Sequence, residues 1–104
     1  MQEKRKYRRL EESVVVKHKM QESGNKGSSP GKNISAGGVR LTTVHDIHVG
    51  TKLELELNIP NNFRPFYALG EVIWVKKITV EKEERYDIGI KFTKLVSRSE
   101  LKDF

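Results

Sequence analysis

Two groups of residues have types and spacings that suit ligand chemistry. The first is Arg5-Lys6-Tyr7-Arg8-Arg9, in which Arg5 and Arg9 stand four apart. A guanidinium presents a planar fork of donors that matches phosphate oxygens bidentately. The same fork fits O6 and N7 of guanine and stacks on a base. Two arginines at this spacing on an extended arm can grip one anionic, guanine-bearing ligand from two sides. The plainer reading of the same residues is a solvated basic terminus. The second group is Asn33-Ile34-Ser35-Ala36-Gly37-Gly38, an N-x-S-x-x-G pattern at the entrance to an apolar alternation. Asn33 and Ser35 carry donors and acceptors for a base edge or a phosphate, and Gly38 lets a ligand approach the backbone closely. Taken alone, the pattern also describes an ordinary polar turn.

The charge distribution favours an anionic partner. The 104 residues carry 20 Lys/Arg and 14 Asp/Glu, a net of +6. Residues 1–40 hold ten bases and four acids, whereas residues 41–104 hold ten of each, so all of the excess lies in the first part. Residues 1–9 alone carry +4. An arm of that density repels itself and is expected to gain order only when an anion neutralises it. Nucleic acid, a nucleotide or a membrane surface would each serve.

Other chemistries find no residues. The absence of cysteine removes disulfides, thiolate metal sites and a Cys nucleophile. No G-x-S-x-G, H-E-x-x-H or P-loop pattern occurs, so no catalytic set is expected. His45-Asp46-Ile47-His48 has no third ligand at metal-site spacing and reads as a loop before Gly50. There is no apolar run of about 18 residues to span a bilayer, and no apolar stretch behind the basic start to make a secretory signal. A reducing cytoplasm fits this composition.

The elements that must hold the two groups are mainly β. Period-2 alternation places Val14, Val16, His18 and Met20 on one face, and Val39, Leu41 and Thr43 on another. Leu53, Leu55, Leu57 and Ile59 face inward with Lys52, Glu54, Glu56 and Asn58 outward. Residues 66–75 are apolar almost throughout, the pattern of a central strand covered on both faces, with Trp74 in the core. Tyr86, Ile88, Ile90 and Phe92 alternate again. Residues 24–31 (GNKGSSPG) read as a loop without a core-forming residue, and 81–85 (EKEER) as a hairpin tip or solvated edge. His18 reads as a partly buried core histidine. Ser97-x-x-Glu100 matches a capping box and predicts a short helix over 97–104. Five or six strands and one helix in this length make a small closed barrel or sandwich, a single domain over 1–104 with a basic arm at 1–12 and the barrel at 13–95.

The two groups, in this order and set some twenty-five residues apart, resemble the signature of the PilZ domain, the bacterial receptor module for cyclic di-GMP: R-x-x-x-R followed by [D/N]-x-S-x-x-G. The framework is similar over nearly the whole chain, through Val49-Gly50-Thr51 before LELELNIP, GEVIWV (Gly70 to Val75) and DIGIKF (Asp87 to Phe92). The resemblance implies a six-stranded antiparallel barrel, a noncatalytic function, cyclic di-GMP as ligand without a further cofactor or metal, and an as yet unidentified downstream protein that reads the ligand-bound state. It assigns binding to Arg5, Arg9, Asn33, Ser35 and Gly38, with Arg8 and Gly37 as additional candidates. Arg8 stands where a proline is common. Position 33 is Asn, whose amide offers one acceptor oxygen to the N1–H and N2–H of guanine where Asp offers two with charge. The family usually has a second strand just before Asn33, a stretch without apolar alternation here. Two rival readings are a PilZ-like adaptor working through protein contacts alone and, less in keeping with the outward Glu54 and Glu56, a barrel for RNA or single-stranded DNA.

Overall fold

The computed structural model describes residues 14–60 and 64–101. The basic arm, with Arg5, Arg8 and Arg9, lies outside the described residues, as do 61–63 and 102–104. Six strands form one closed antiparallel barrel: β1 (Val14–Met20), β2 (Lys26–Lys32), β3 (Gly38–Thr43), β4 (Lys52–Asn58), β5 (Phe66–Val80) and β6 (Glu83–Val96). Around the barrel the order is β1-β2-β3-β6-β5-β4, and β1 closes against β4. The inward residues Val14, Val16, Leu41, Leu53, Leu55, Val72 and Ile88 are fully buried. Their period-2 spacing puts each strand's apolar set on the barrel interior, and closure leaves no long free edge around the core.

Residues 26–32 form a strand, contrary to their reading as part of a loop. β2 has no β-forming side chains, but it pairs with β1 over six positions, from Val14↔Gly31 to Lys19↔Lys26. Its alternation is one of small residues. Ser29 and Gly31 are buried, and a Cβ on Gly27 would stand 2.6 Å from the His18 ring. Bulky neighbours on β1 thus fill the space that β2 leaves. His18 is buried and its Nε2 lies 3.0 Å from Ser29 Oγ. β2 meets β3 at only two positions, Gly31↔Leu41 and Lys32↔Arg40. Pro30 stands where β2 has no β3 partner, a setting in which a strand proline is tolerated. Ile47, 2% exposed, joins the core from the 44–51 loop, so that loop contributes packing as well as a turn.

β5 and β6 are longer than their apolar cores suggested and form a continuous hairpin turning at Glu81-Lys82. Both tip residues have positive φ, 49° and 70°, the backbone of a two-residue type I′ turn. The apolar run of β5 is not a two-sided central strand. A barrel has one interior, and here Ala68, Gly70 and Val72 face it while Phe66 and Ile73 are exposed. A register shift between Val72 and Trp74 interrupts the alternation, so Trp74 sits on the outer surface, 40% exposed, and not in the core.

After β6 the chain makes a single 3-10 turn at Arg98–Glu100 in place of the start of a longer helix. The capping box does not close. Ser97 Oγ contacts the Ser99 hydroxyl (2.9 Å) and Glu100 Oε1 (3.5 Å), with no cap to a backbone N–H. Leu101 then becomes extended, with its side chain buried.

Candidate functional site

The N-x-S-x-x-G residues make the connection from β2 to β3. Asn33 has φ 51°, a left-handed conformation that asparagine tolerates better than most residues. A tight turn follows. Ser35 N–H donates to Gly38 O at 3.0 Å, and Gly37 N–H donates to Ser35 Oγ at 3.2 Å. Phe92 N–H donates to Gly37 O at 2.9 Å and ties the turn to β6. Because Ser35 Oγ accepts from the backbone, its own O–H proton is left to donate outward. Gly38 opposes Lys91 across the β3–β6 ladder, and a Cβ there would stand 2.1 Å from the Ile90 carbonyl oxygen. Only glycine fits without parting the two strands.

The spacing of the motif follows from its two sides. Ile34 and Ala36 line an apolar hollow at the barrel mouth with Leu57, Ile59, Phe66 and Phe92. Asn33, Ser35, Gly37 and Gly38 line an open concavity of ≈ 380 Å³ on the other side. Ile34, packed against the core, anchors the turn, while Asn33 and Ser35 are exposed. Ser35 borders both spaces.

Besides the aliphatic Val39, Ile73 and Ile90, three further side chains share that concavity: Arg40, Trp74 and Lys91. Trp74 stands opposite Gly89 in the β5–β6 ladder, and its indole occupies the space a side chain on Gly89 would need. Arg40 Nε donates to Asp87 Oδ2 at 3.0 Å, its Nη2 donates to the same oxygen, and Thr42 Oγ1 donates to Asp87 Oδ1 at 2.9 Å. Burial pushes the Asp87 carboxyl up. The hydrogen bonds from Arg40 and Thr42, with the charges of Arg40 and Lys32, outweigh this and hold it below its ordinary value. Asp87 is therefore an anion at neutral pH. Arg40 was within reach of sequence reasoning, since it lies two residues past Gly38 and shares its strand face. Trp74 and Lys91 were not, because the bulge and the β3–β6 register carry no local signal.

The structure thus brings Asn33, Ser35, Gly37 and Gly38 to one rim, while Arg5, Arg8 and Arg9 lie outside the described residues. Of the His45–His48 stretch, Ile47 turns inward and His48 Nε2 lies 3.8 Å from Asp46 Oδ2. Among the described residues no three His, Asp or Glu side chains gather as metal ligands, and no helix is long and apolar enough to cross a membrane.

The architecture is thus a small closed six-stranded barrel with a glycine-bearing polar turn at the rim of a concavity that Arg40, Trp74 and Lys91 also line. The chain belongs to the PilZ domain family, whose model matches residues 3–104. PilZ domains typically bind cyclic di-GMP and are generally noncatalytic receptor modules. No curated protein sequence matches the chain. Among solved structures it is similar to K. pneumonia MrkH in its apo state, with TM-score 0.71 and 21% identity, covering 95% of this chain and 46% of that one. It is also similar to the Bacillus subtilis inhibitor of motility MotI/DgrA, with TM-score 0.67 and 19% identity over 93% of this chain and 46% of that one. A third likeness is to the PilZ domain of Escherichia coli YcgR, a structure with c-di-GMP, at TM-score 0.65 and 16% identity, covering 93% and 82% of the two chains. The chain spans less than half the length of the MrkH and MotI/DgrA chains. At these identities the likeness is one of fold.

Proposed function

We propose that this chain is a cytoplasmic, noncatalytic receptor for cyclic di-GMP, a single module in which the 1–12 arm and the 33–38 turn share one ligand. Asn33, Ser35 and Gly38 meet a guanine and the phosphate backbone from the barrel side, with Gly37 beside them. Arg5 and Arg9 hold phosphates and guanines from the arm, and Arg8 adds a further cation. The observation that carries the reading is the pairing of the two motifs with a concavity rimmed by the second. Arg40, Lys91 and an exposed indole in its walls suit an anionic, base-bearing ligand.

Binding then has a mechanical output. Neutralising the arm's arginines removes their mutual repulsion and holds the arm against the barrel, which changes the surface offered to a downstream protein. The ligand drives this only through contacts made in the docked state. Calorimetric titration of cyclic di-GMP into the wild type, Arg9→Ala and Ser35→Ala, with GTP and a single-stranded oligonucleotide as controls, tests the reading. Each substitution should weaken binding roughly 10- to 100-fold, the cost of a lost charge-assisted or buried hydrogen bond. No binding by the wild type refutes the receptor function. Equal binding by all three refutes the residue assignment.

A further inference from the structure

The Arg40–Asp87 pair invites a second question. An ion pair with one member buried is weak grounds for stability, because desolvation offsets the attraction. The Asp87 side chain is 4% exposed and that of Arg40 is 41% exposed, so the pair runs from the barrel wall outward. Among the described residues the carboxylate accepts three hydrogen bonds, all from β3: two from Arg40 to Oδ2, one from Thr42 to Oδ1. Among the described residues, only the Nε–Nη2 edge of the guanidinium is used. The other edge, Nη1 with the remaining Nη2 proton, has no partner among them and is a two-donor fork.

The surrounding charges explain why a tether is needed. Lys32 stands directly opposite Arg40 in the β2–β3 ladder, one of only two pairs joining these strands. Like charges directly opposite are destabilising. Lys91 lines the same concavity from β6. Three cations on three adjacent strands therefore converge beside the Asn33–Gly38 turn, with Asp87 as the buried counter-charge. Without it, repulsion from Lys32 and Lys91 would drive the long Arg40 side chain into solvent.

We infer that Asp87 is a positioning residue for ligand recognition, holding Arg40 so that its free fork meets a phosphodiester oxygen of the ligand in the concavity. Thr42 assists by fixing the second carboxylate oxygen. This rests on the proposed cyclic di-GMP reading and adds to it a phosphate contact on the barrel itself, independent of the arm.

The test is calorimetric titration of cyclic di-GMP into the full chain as wild type, Arg40→Ala, Arg40→Lys, Asp87→Asn and the double variant Arg40→Ala/Asp87→Asn. Each is measured at about 50 mM and about 300 mM salt, a range over which exposed charge contacts are progressively screened. A wild type that does not bind overturns the receptor reading, and this inference with it. With a binding wild type, Arg40→Ala and Asp87→Asn should each lose roughly 10- to 100-fold in affinity. The double variant should bind no worse than Arg40→Ala, because the two residues act as one unit. Arg40→Ala should also flatten the salt dependence, whereas Arg40→Lys should keep it while losing the fork's affinity. Wild-type affinity in Arg40→Ala overturns the inference. So does a fall in melting temperature in Asp87→Asn with affinity unchanged, or a loss in Arg40→Ala with the salt dependence intact. Thr42→Val guards against misfolding of the Asp87 variant. It loosens the carboxylate without removing a charge and should weaken binding several-fold, and unaltered affinity there counts against the tether.

Discussion

Replacing Gly89 by alanine should unseat Trp74. The indole Nε1, Cε2 and Cδ1 lie 2.1, 2.3 and 2.8 Å from where the new Cβ would stand. Ordinary carbon contacts are about 3.5–4.0 Å, so the ring must retreat by more than about 1 Å. The obstacle is a surface side chain and not backbone, so the ring swings outward and the ladder stays closed. The cost is the packing it gives up. A tryptophan buries on the order of 150–250 Å² when covered. With 40% of it exposed, roughly 100–150 Å² is covered here. Losing half of that at about 25 cal/mol per Å² costs about 1–2 kcal/mol. The stiffer unfolded chain returns about 0.4–1 kcal/mol of this. A net loss near 1 kcal/mol lowers the melting temperature by roughly 4–8 °C in a domain this size. Trp74 is the only tryptophan, so its emission reports the ring directly. It should shift to the red and become more open to quenching. Unchanged emission together with an unchanged melting temperature would refute the seating of the indole on Gly89.

Three further predictions rest on buried and strained positions. Burial, and secondarily the charge of His45, lowers the pKa of His18, so the folded protein binds this proton less readily than the unfolded chain. Stability should therefore be level above about pH 7 and fall as the pH drops through about 6.5. Urea midpoints from pH 8 to pH 5 check this, and the same fall persisting in His18→Gln would sink the assignment. Asp87 has the opposite sign, since its lowered pKa makes its contribution present at neutral pH and lost only in acid below about pH 4. At the β5–β6 tip, Glu81 and Lys82 occupy left-handed conformations that cost side-chain-bearing residues about 1–2 kcal/mol each. Glu81→Asn with Lys82→Gly should raise stability by roughly 1 kcal/mol in urea unfolding. A neutral or destabilising result would mean that the tip is not a type I′ turn.

Strands with large inward side chains were legible from local pattern. Val14, Val16, Leu53, Leu55, Leu57, Ile88 and Ile90 alternate because a barrel wall has one wet and one dry face, and that rule acts within a few residues. The N-x-S-x-x-G turn was legible for the same reason. Its glycine and polar side chains answer a local backbone requirement, and this motif together with R-x-x-x-R and the ordered strand framework carried the family resemblance. What the tertiary structure decided depended on partners distant in sequence. β2 is a strand because β1 pairs with it and His18 and Val16 fill the space above its glycines, information absent from KGSSPGK itself. Ser97 and Glu100 have the spacing of a capping box, yet the turn stops at Leu101, whose side chain is buried. Trp74 faces out because a bulge and the glycine opposite it on β6 make a seat there, which no alternation within residues 66–75 reveals. Arg40 and Asp87, 47 positions apart in the chain, are joined by the β3–β6 register alone. Local pattern thus determined the inward-facing strands and the turn at the rim, while barrel closure and the walls of the concavity came from long-range pairing, because a register is a property of two strands and neither carries it by itself.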